Sequence, residues 1–260
     1  LAKRNTQTRR HGIVEHVNQH GLTAVDALAQ LFETSSVTIR KDLSVLDSEG
    51  LIVRQHGGAA PYPATSSSST DSQQDTHSPI KAAIGKLAAS LIGDNQKVII
   101  DSGSTTATMV EHLNQPKNLV VMTNALSVAN KLVAFKNEPT VLMTGGTWDP
   151  RSQSFQGKMA GTMVQAYNFD LAFVGAAGLD IARGTTTYNE MTQLSQAMAN
   201  AASKVIVVAE SAKLRNKMPN VELAWQQVAV LVTDTGLSEE AEKQLSEYGV
   251  TVLTASPNGE

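Results

Sequence analysis

The sequence predicts a winged helix-turn-helix domain over residues 1–60 and an α/β domain over residues 79–260, whose largely parallel sheet is flanked by helices. Three observations lead there. Residues 22–46 hold two stretches of helical apolar spacing around a polar turn, and residues 61–78 change abruptly to PYPATSSSSTDSQQDTHS. Beyond them, short continuous apolar runs alternate with helical stripes, the pattern of strands covered on both faces.

In the first domain Ile13, Val14 and Val17 form an apolar stripe that Gly21 ends as a C-cap glycine. A helix is expected to open at Thr23, with Asp26 as its capping-box partner, and to bury Val25, Leu28, Ala29 and Phe32. After the turn Glu33-Thr34-Ser35, capped by Ser35 or Ser36, a second helix starts near Val37 and buries Ile39, Leu43 and Leu46. Its opposite face then carries Val37, Lys41 and Ser44, with Thr38 and Arg40 on the flanks. Short polar groups and cations near a helix N-terminus suit base edges and phosphates of double-stranded DNA. A run of alternating residues ending in Gly57-Gly58 predicts a hairpin wing that presents Arg54 and His56 to the same duplex. Lys3, Arg4, Arg9 and Arg10 ahead of the motif are expected to meet backbone phosphates.

The segment at 61–78 is too polar to bury a core and reads as a linker. Strands follow at 98–100, 119–122, 141–143, 171–174, 205–208, 230–232 and 250–253. Helices are expected at 80–91, 107–113, 126–134, 159–167, 189–203 and 239–248. In such sheets ligands bind beyond the carboxyl ends of strands. The first of these ends is Asp101-Ser102-Gly103-Ser104-Thr105-Thr106, whose amides and hydroxyls suit an anion, with phosphate the natural guest. Thr123-Asn124-Ala125, Thr144-Gly145-Gly146 and the run from Gly175 through Gly178, Asp180 and Thr185-Thr186-Thr187 to Glu190 are read as further loops around one crevice.

Composition narrows the class. The chain has no cysteine, which excludes disulfides and thiolate metal sites, and neither metal nor cofactor is expected. No apolar window is long enough to span a bilayer and no leader pattern opens the chain, so a soluble cytoplasmic protein without membrane partners is expected. The net charge is −3, yet residues 1–60 hold seven Lys/Arg against six Asp/Glu, so basic character is confined to one arm and one helix face.

The run TIRKDL with Leu46, Gly50, Arg54 and His56-Gly57-Gly58-Ala59 resembles the N-terminal domain of the DeoR family of bacterial transcriptional regulators. DSGSTT, VMTNA, LMTGG, FDLAFVG, GTTTYNE and ESAK resemble that family's C-terminal sensor domain, which is similar in fold to ribose-5-phosphate isomerase and glucosamine-6-phosphate deaminase. The patterns at 152–157, 186–190 and 197–202 are nearest to the branch serving glucitol (sorbitol) operons, with a galactosamine-pathway branch second. The resemblance implies a repressor of a carbohydrate, specifically sugar-alcohol, operon that acts as a dimer or tetramer and is released by a phosphorylated sugar or polyol. It also makes Lys213 a ligand residue. The chain departs from the family at Ala177, where Asp is common, and at Glu210, where the common run is DSSKF.

An isomerase-like enzyme is the alternative, with Asp101, Asp180 or Glu190 as base. His112, the sensor domain's one histidine, lies within a predicted helix, and no acid–base pair stands out, so binding is favoured over catalysis. Trp225 reads as a packing anchor, and Trp148, beside Gly145-Gly146, as the better stacking candidate. Met109, Met143, Met159, Met163, Met191 and Met198 read mostly as core.

Overall fold

A computed structural model describes residues 6, 9–10, 12–14, 16–17, 20–48, 52–55, 57–61, 78–150, 152–187, 189–216 and 218–256, with backbone alone at 48, 61 and 189–192. The chain divides into two compact units, residues 1–68 and 69–260. Lys3, Arg4, His56 and residues 62–77 of the expected linker lie outside the described residues.

In the smaller unit Gly21 takes φ +77°, and its amide closes the preceding turn on the Val17 carbonyl at 2.9 Å. Thr23 does not cap a helix. Thr23–Ala24 forms strand β1, and the Thr23 hydroxyl donates back to the Gly21 carbonyl. Helix α1 (Val25–Leu31) follows, and Asp26 accepts a bond from Ser36 rather than closing a capping box. Helix α2 spans Ser36–Ser48, one residue longer at its start than expected, and Ser35 Oγ accepts its Thr38 amide at 3.2 Å. Strands β2 (Ile52–Gln55) and β3 (Gly58–Pro61) make the wing, which reaches one residue into the expected linker. Strand β1 adds to β3 on the side away from β2. A Cβ on Gly58 would strike the Thr23 carbonyl, so a side chain there would part the two strands. Ile13, Val17, Leu28, Ile39, Leu43, Leu46 and Ile52 form the core, each almost wholly buried.

The larger unit is ordered by alternation within apolar runs. Ile99, Ala172, Val174, Val205 and Val207 enter one cluster with Ala160, Val164, Met198, Trp225 and Leu245. Their neighbours Val98, Ile100, Phe173, Ile206 and Val208 enter another with Ile84, Ala88, Met109, Val128 and Leu132. Strands buried on both faces need no polar residue, which is why each reads as an unbroken apolar run. The strands are β4 (Lys97–Ile100), β5 (Val120–Thr123), β6 (Thr140–Met143), β9 (Phe169–Val174), β12 (Ala202–Val208), β14 (Val230–Asp234) and β15 (Thr251–Ala255). They make one parallel sheet in the order β15-β14-β12-β9-β4-β5-β6. The helices are α3 (Pro79–Ala89), α4 (Ser104–Met109), α5 (Leu126–Leu132), α6 (Lys158–Gln165), α7 (Asn189–Asn200) and α8 (Glu239–Glu247).

Helix α4 begins three residues earlier than its apolar spacing suggests, and α7 stops at Asn200 because Ala202 already pairs with Phe169. Two antiparallel pieces were not expected. Strands β7 (Thr147–Asp149) and β8 (Ser154–Gln156) form a hairpin. Strands β10 (Gly178–Asp180), β11 (Gly184–Thr187) and β13 (Asn220–Ala224) form a small sheet, so the threonine run expected as a loop is a buried strand. No helix among the described residues is long and apolar enough to cross a membrane. Met159 is 76% exposed rather than core, while Met109 and Met198 are buried as expected.

Candidate functional site

On α2, Val37, Arg40, Lys41 and Ser44 are exposed on the face opposite Ile39, Leu43 and Leu46. Ser36 and Thr38 are half-buried and already engaged: Ser36 Oγ donates to Asp26 at 2.8 Å, and Thr38 Oγ1 lies 2.9 Å from Ser35 Oγ. Arg54 is exposed on β2, its amide held by Asp47, and Gly57 turns the wing at φ +80°. Arg9 and Arg10 are not a loose arm. Their Nε atoms meet Asp42 of α2 at 2.7 and 2.8 Å, and Asp42 is 2% exposed.

In the larger unit the parallel sheet places five strand ends on one edge. Asp101 follows β4, Asn124 follows β5, Thr144-Gly145 follows β6, Gly175 follows β9 and Glu210 lies just past β12. Chain order runs outward in opposite directions from the β9–β4 neighbours, which makes their carboxyl ends the switch point where such sheets take ligands. Asp101 and Gly175 border it, and a Cβ on Gly175 would lie 3.7 Å from the Ser102 carbonyl.

The loop is held from within. Asp101 Oδ1 accepts the Ser102 amide at 2.8 Å and Asn124 Nδ2 at 3.0 Å, while Asn124 Oδ1 accepts the Ser102 amide at 2.9 Å. Thr106 Oγ1 donates to the Asp101 carbonyl, and Gly103 takes φ +155°, open to glycine. Thr123 and Asn124 are wholly buried, and Thr123 Oγ1 accepts the Ala125 amide. Burial pushes the Asp101 carboxyl up to about 6, against the pull of the Ser102 and Asn124 bonds.

Ser104 and Thr105 sit in the first turn of α4 rather than in a loop, and Ser104 Oγ accepts from Lys81 Nζ at 3.1 Å. Lys81 is 2% exposed, and its ammonium is 3.7 Å from Glu210 Oε2. The sequence carried a signal for it: Lys81 is in phase with the apolar Ile84, Gly85 and Ala88. The unexpected hairpin docks beside Asn124, whose carbonyl accepts the Phe155 amide at 2.8 Å. Gly146 lies too close to the Gln156 carbonyl for any side chain and seats that hairpin, while Gly145 turns the chain at φ +61° in open space. Trp148 is 42% exposed on it, edge-on to Phe155.

Glu222 of β13 is a second buried carboxyl, bonded by Ser195 at 2.5 Å and by Thr185 at 3.2 Å. Burial pushes it up to about 7, and the charge of Asp101 adds to the rise. Asp180 is a poor base, since the Arg183 guanidinium at 2.7 Å holds its carboxyl below the usual range. Trp225 is fully buried and donates to the Asp180 carbonyl, an anchor as expected. His112 is exposed. Lys213 is half-buried in a 3₁₀ turn after β12, and the Glu190 side chain lies outside the described residues. Among the described residues no cluster of His, Asp or Glu could hold a metal ion.

Residues 9–62 match the DeoR-like helix-turn-helix domain, and residues 76–235 the DeoR C-terminal sensor domain. The chain is 33% identical over 252 residues, 95% of its length and 93% of the relative's, to an Escherichia coli protein named as an aga operon transcriptional repressor. It is 31% identical to the HTH-type transcriptional regulator GlpR of Haloferax volcanii, over 94% of this chain and 96% of that one. It is 30% identical to the glycerol-3-phosphate regulon repressor of Escherichia coli, over 83% of this chain and 86% of that one. Among solved structures, ribose 5-phosphate isomerase A of Methanocaldococcus jannaschii is similar over 54% of each chain, at 15% identity and a TM-score of 0.37.

Proposed function

Since the chain belongs to the DeoR family of transcriptional regulators, we propose that it represses a carbohydrate-utilisation operon and leaves its operator when a phosphorylated sugar or sugar alcohol binds. The observation that carries this reading is the hydroxyl-rich turn at the switch point between β9 and β4. There the run Ser102, Gly103, Ser104 and Thr105 is tied at Ser104 Oγ to Lys81, a buried cation that also lies 3.7 Å from Glu210 Oε2. Amides, hydroxyls and one desolvated ammonium make a phosphate seat. Asp101, Asn124, Thr123, Gly145, Gly146, Gly175, Glu190 and Lys213 are assigned to the rest of the effector, with the carboxylates and Asn124 for its hydroxyls. A sugar alcohol such as glucitol phosphate is the finer choice.

On DNA, Val37, Thr38, Lys41 and Ser44 read base edges, Arg40, Arg54 and Gly57 meet the backbone, and Ser36 steadies the helix start. His56 is assigned to the wing from sequence alone. A homodimer or homotetramer presents paired half-sites, because one small module seldom supplies both affinity and specificity. The effector acts only if it binds the non-operator arrangement more tightly.

The test is operator binding followed by fluorescence anisotropy while glucitol phosphate, glycerol 3-phosphate and amino-sugar phosphates are added in turn. One of them is expected to release the DNA. The double substitution Ser104→Ala with Thr105→Ala is expected to bind operator normally and resist release, and a fully inducible double variant would overturn the phosphate seat.

A residual isomerase-like activity is the second reading, favoured by two carboxyls poised near neutrality, Asp101 and Glu222. We expect no exchange of solvent deuterium into a bound sugar phosphate. Asp101 Oδ1 is taken by Asn124 and Ser102, and Glu222 is enclosed by Ser195 and Thr185.

A further inference from the structure

The buried carboxylate of Asp42 carries two guanidiniums where charge balance needs one. Arg9 Nε lies 2.7 Å from Oδ2 and Arg10 Nε lies 2.8 Å from Oδ1, so each oxygen is used once and the three charges sum to plus one. The Asp42 side chain is 3% exposed, those of Arg9 and Arg10 17% and 28%. A tie between helices would be complete with a single arginine. Among the described residues the second leaves an excess, partly desolvated cation, which is unfavourable until an anion joins it.

The position of the group says which anion. Asp42 follows Lys41 directly on α2, about 100° round the helix from Lys41 and about 40° from Thr38, at the margin between the exposed face and the core. The bonds to Asp42 engage only Nε of each arginine, and the Nη pairs complete the fork that a phosphate oxygen fits. The geometry points to a pre-oriented clamp for one or two phosphodiesters of the DNA backbone, made by Arg9 and Arg10 and held in place by Asp42. Asp42 is a positioning residue: it touches no DNA and aims the groups that do. The inference rests on the DNA-binding reading above and adds residues from outside the recognition face.

Charge alone and positioning make opposite predictions for Asp42→Asn. Removing a negative charge beside DNA strengthens binding by long-range attraction, whereas losing the clamp weakens it. The experiment measures the affinity of the full chain for a mixed-sequence duplex across a salt series. For Asp42→Asn the clamp predicts several-fold weaker binding and a shallower salt dependence. For Arg10→Gln the slope of log affinity against log salt is expected to fall by about 0.9, one phosphate contact. Tighter or unchanged binding by Asp42→Asn, or an unchanged slope in Arg10→Gln, would overturn it.

If Asp42→Asn unfolds the smaller unit, Arg9→Lys with Arg10→Lys decides the matter. Both charges remain, so long-range attraction leaves the slope unchanged, while loss of the forks makes it shallower. A wild-type chain that binds neither this duplex nor operator sinks the DNA-binding reading itself. A wild-type chain that binds while every variant matches it sinks the clamp alone.

Discussion

The two proposed binding sites, helix α2 and the sheet edge after β4 and β5, use polar side chains in opposite ways. Along α2 Arg40, Lys41 and Ser44 stand in solvent and bond to nothing else in their own unit that is described. At the sheet edge Thr123 and Asn124 are wholly buried, Asp101 nearly so, and they hold one another. A surface that meets a separate molecule can be changed one residue at a time, whereas a buried network loses fold and ligand together when any member goes.

Three measurements break or sharpen this contrast. The largest effect is expected for Asn124→Ala, which strips buried partners from Asp101 and from the Ser102 amide. Unfolding of the larger unit by urea should cost about 3 kcal/mol less, with effector binding lost as well. A change under about 0.5 kcal/mol would mean that the crevice is as modular as the helix face.

Next comes Glu222→Gln. Because burial raises the folded pKa to about 7 from 4.5, the native state keeps a proton that the unfolded chain releases. This group's contribution is therefore fullest below about pH 4.5 and is lost as pH rises through about 7. Glutamine removes the dependence, so the variant should gain on the wild type, by about 3 kcal/mol, between about pH 4.5 and about pH 8. Parallel stability curves would place the Glu222 proton elsewhere.

The smallest effect on stability is expected for Lys41→Ala. It should weaken operator binding about tenfold while leaving the unfolding free energy within about 0.5 kcal/mol of wild type and effector affinity unchanged. Equal losses in both kinds of binding would erase the distinction between the two units.

All seven strands of the parallel sheet were legible because each carries its own apolar run, the inner five buried and the edge strands β6 and β15 partly so. The small antiparallel pieces were not, since their burial comes from partners distant in sequence. Thr185 reads as a turn residue until Glu222 and the Leu223 amide bond its hydroxyl. Thr23–Ala24 is a strand only because β3 lies beside it. The loop at Ser102 was visible as a short hydroxyl-rich run after a strand, but the partners that fix it, Asn124 and Lys81, lie 22 and 23 residues away. Asp42 and its arginines are farther still, at separations of 32 and 33, and apolar spacing has no term for such a pair.

The close seating of α3 on α4 has a practical corollary for chimeric sensors. Gly85 admits no Cβ against Thr108 and Met109, and Thr108 Oγ1 donates to the Lys81 carbonyl. The two helices therefore interlock, and a splice inside α3 would tear the lock. A foreign reporter fused just ahead of Pro79 would leave it whole, with its attachment two residues from the lysine that touches Ser104. That junction is the natural place to graft this sensing unit onto another output.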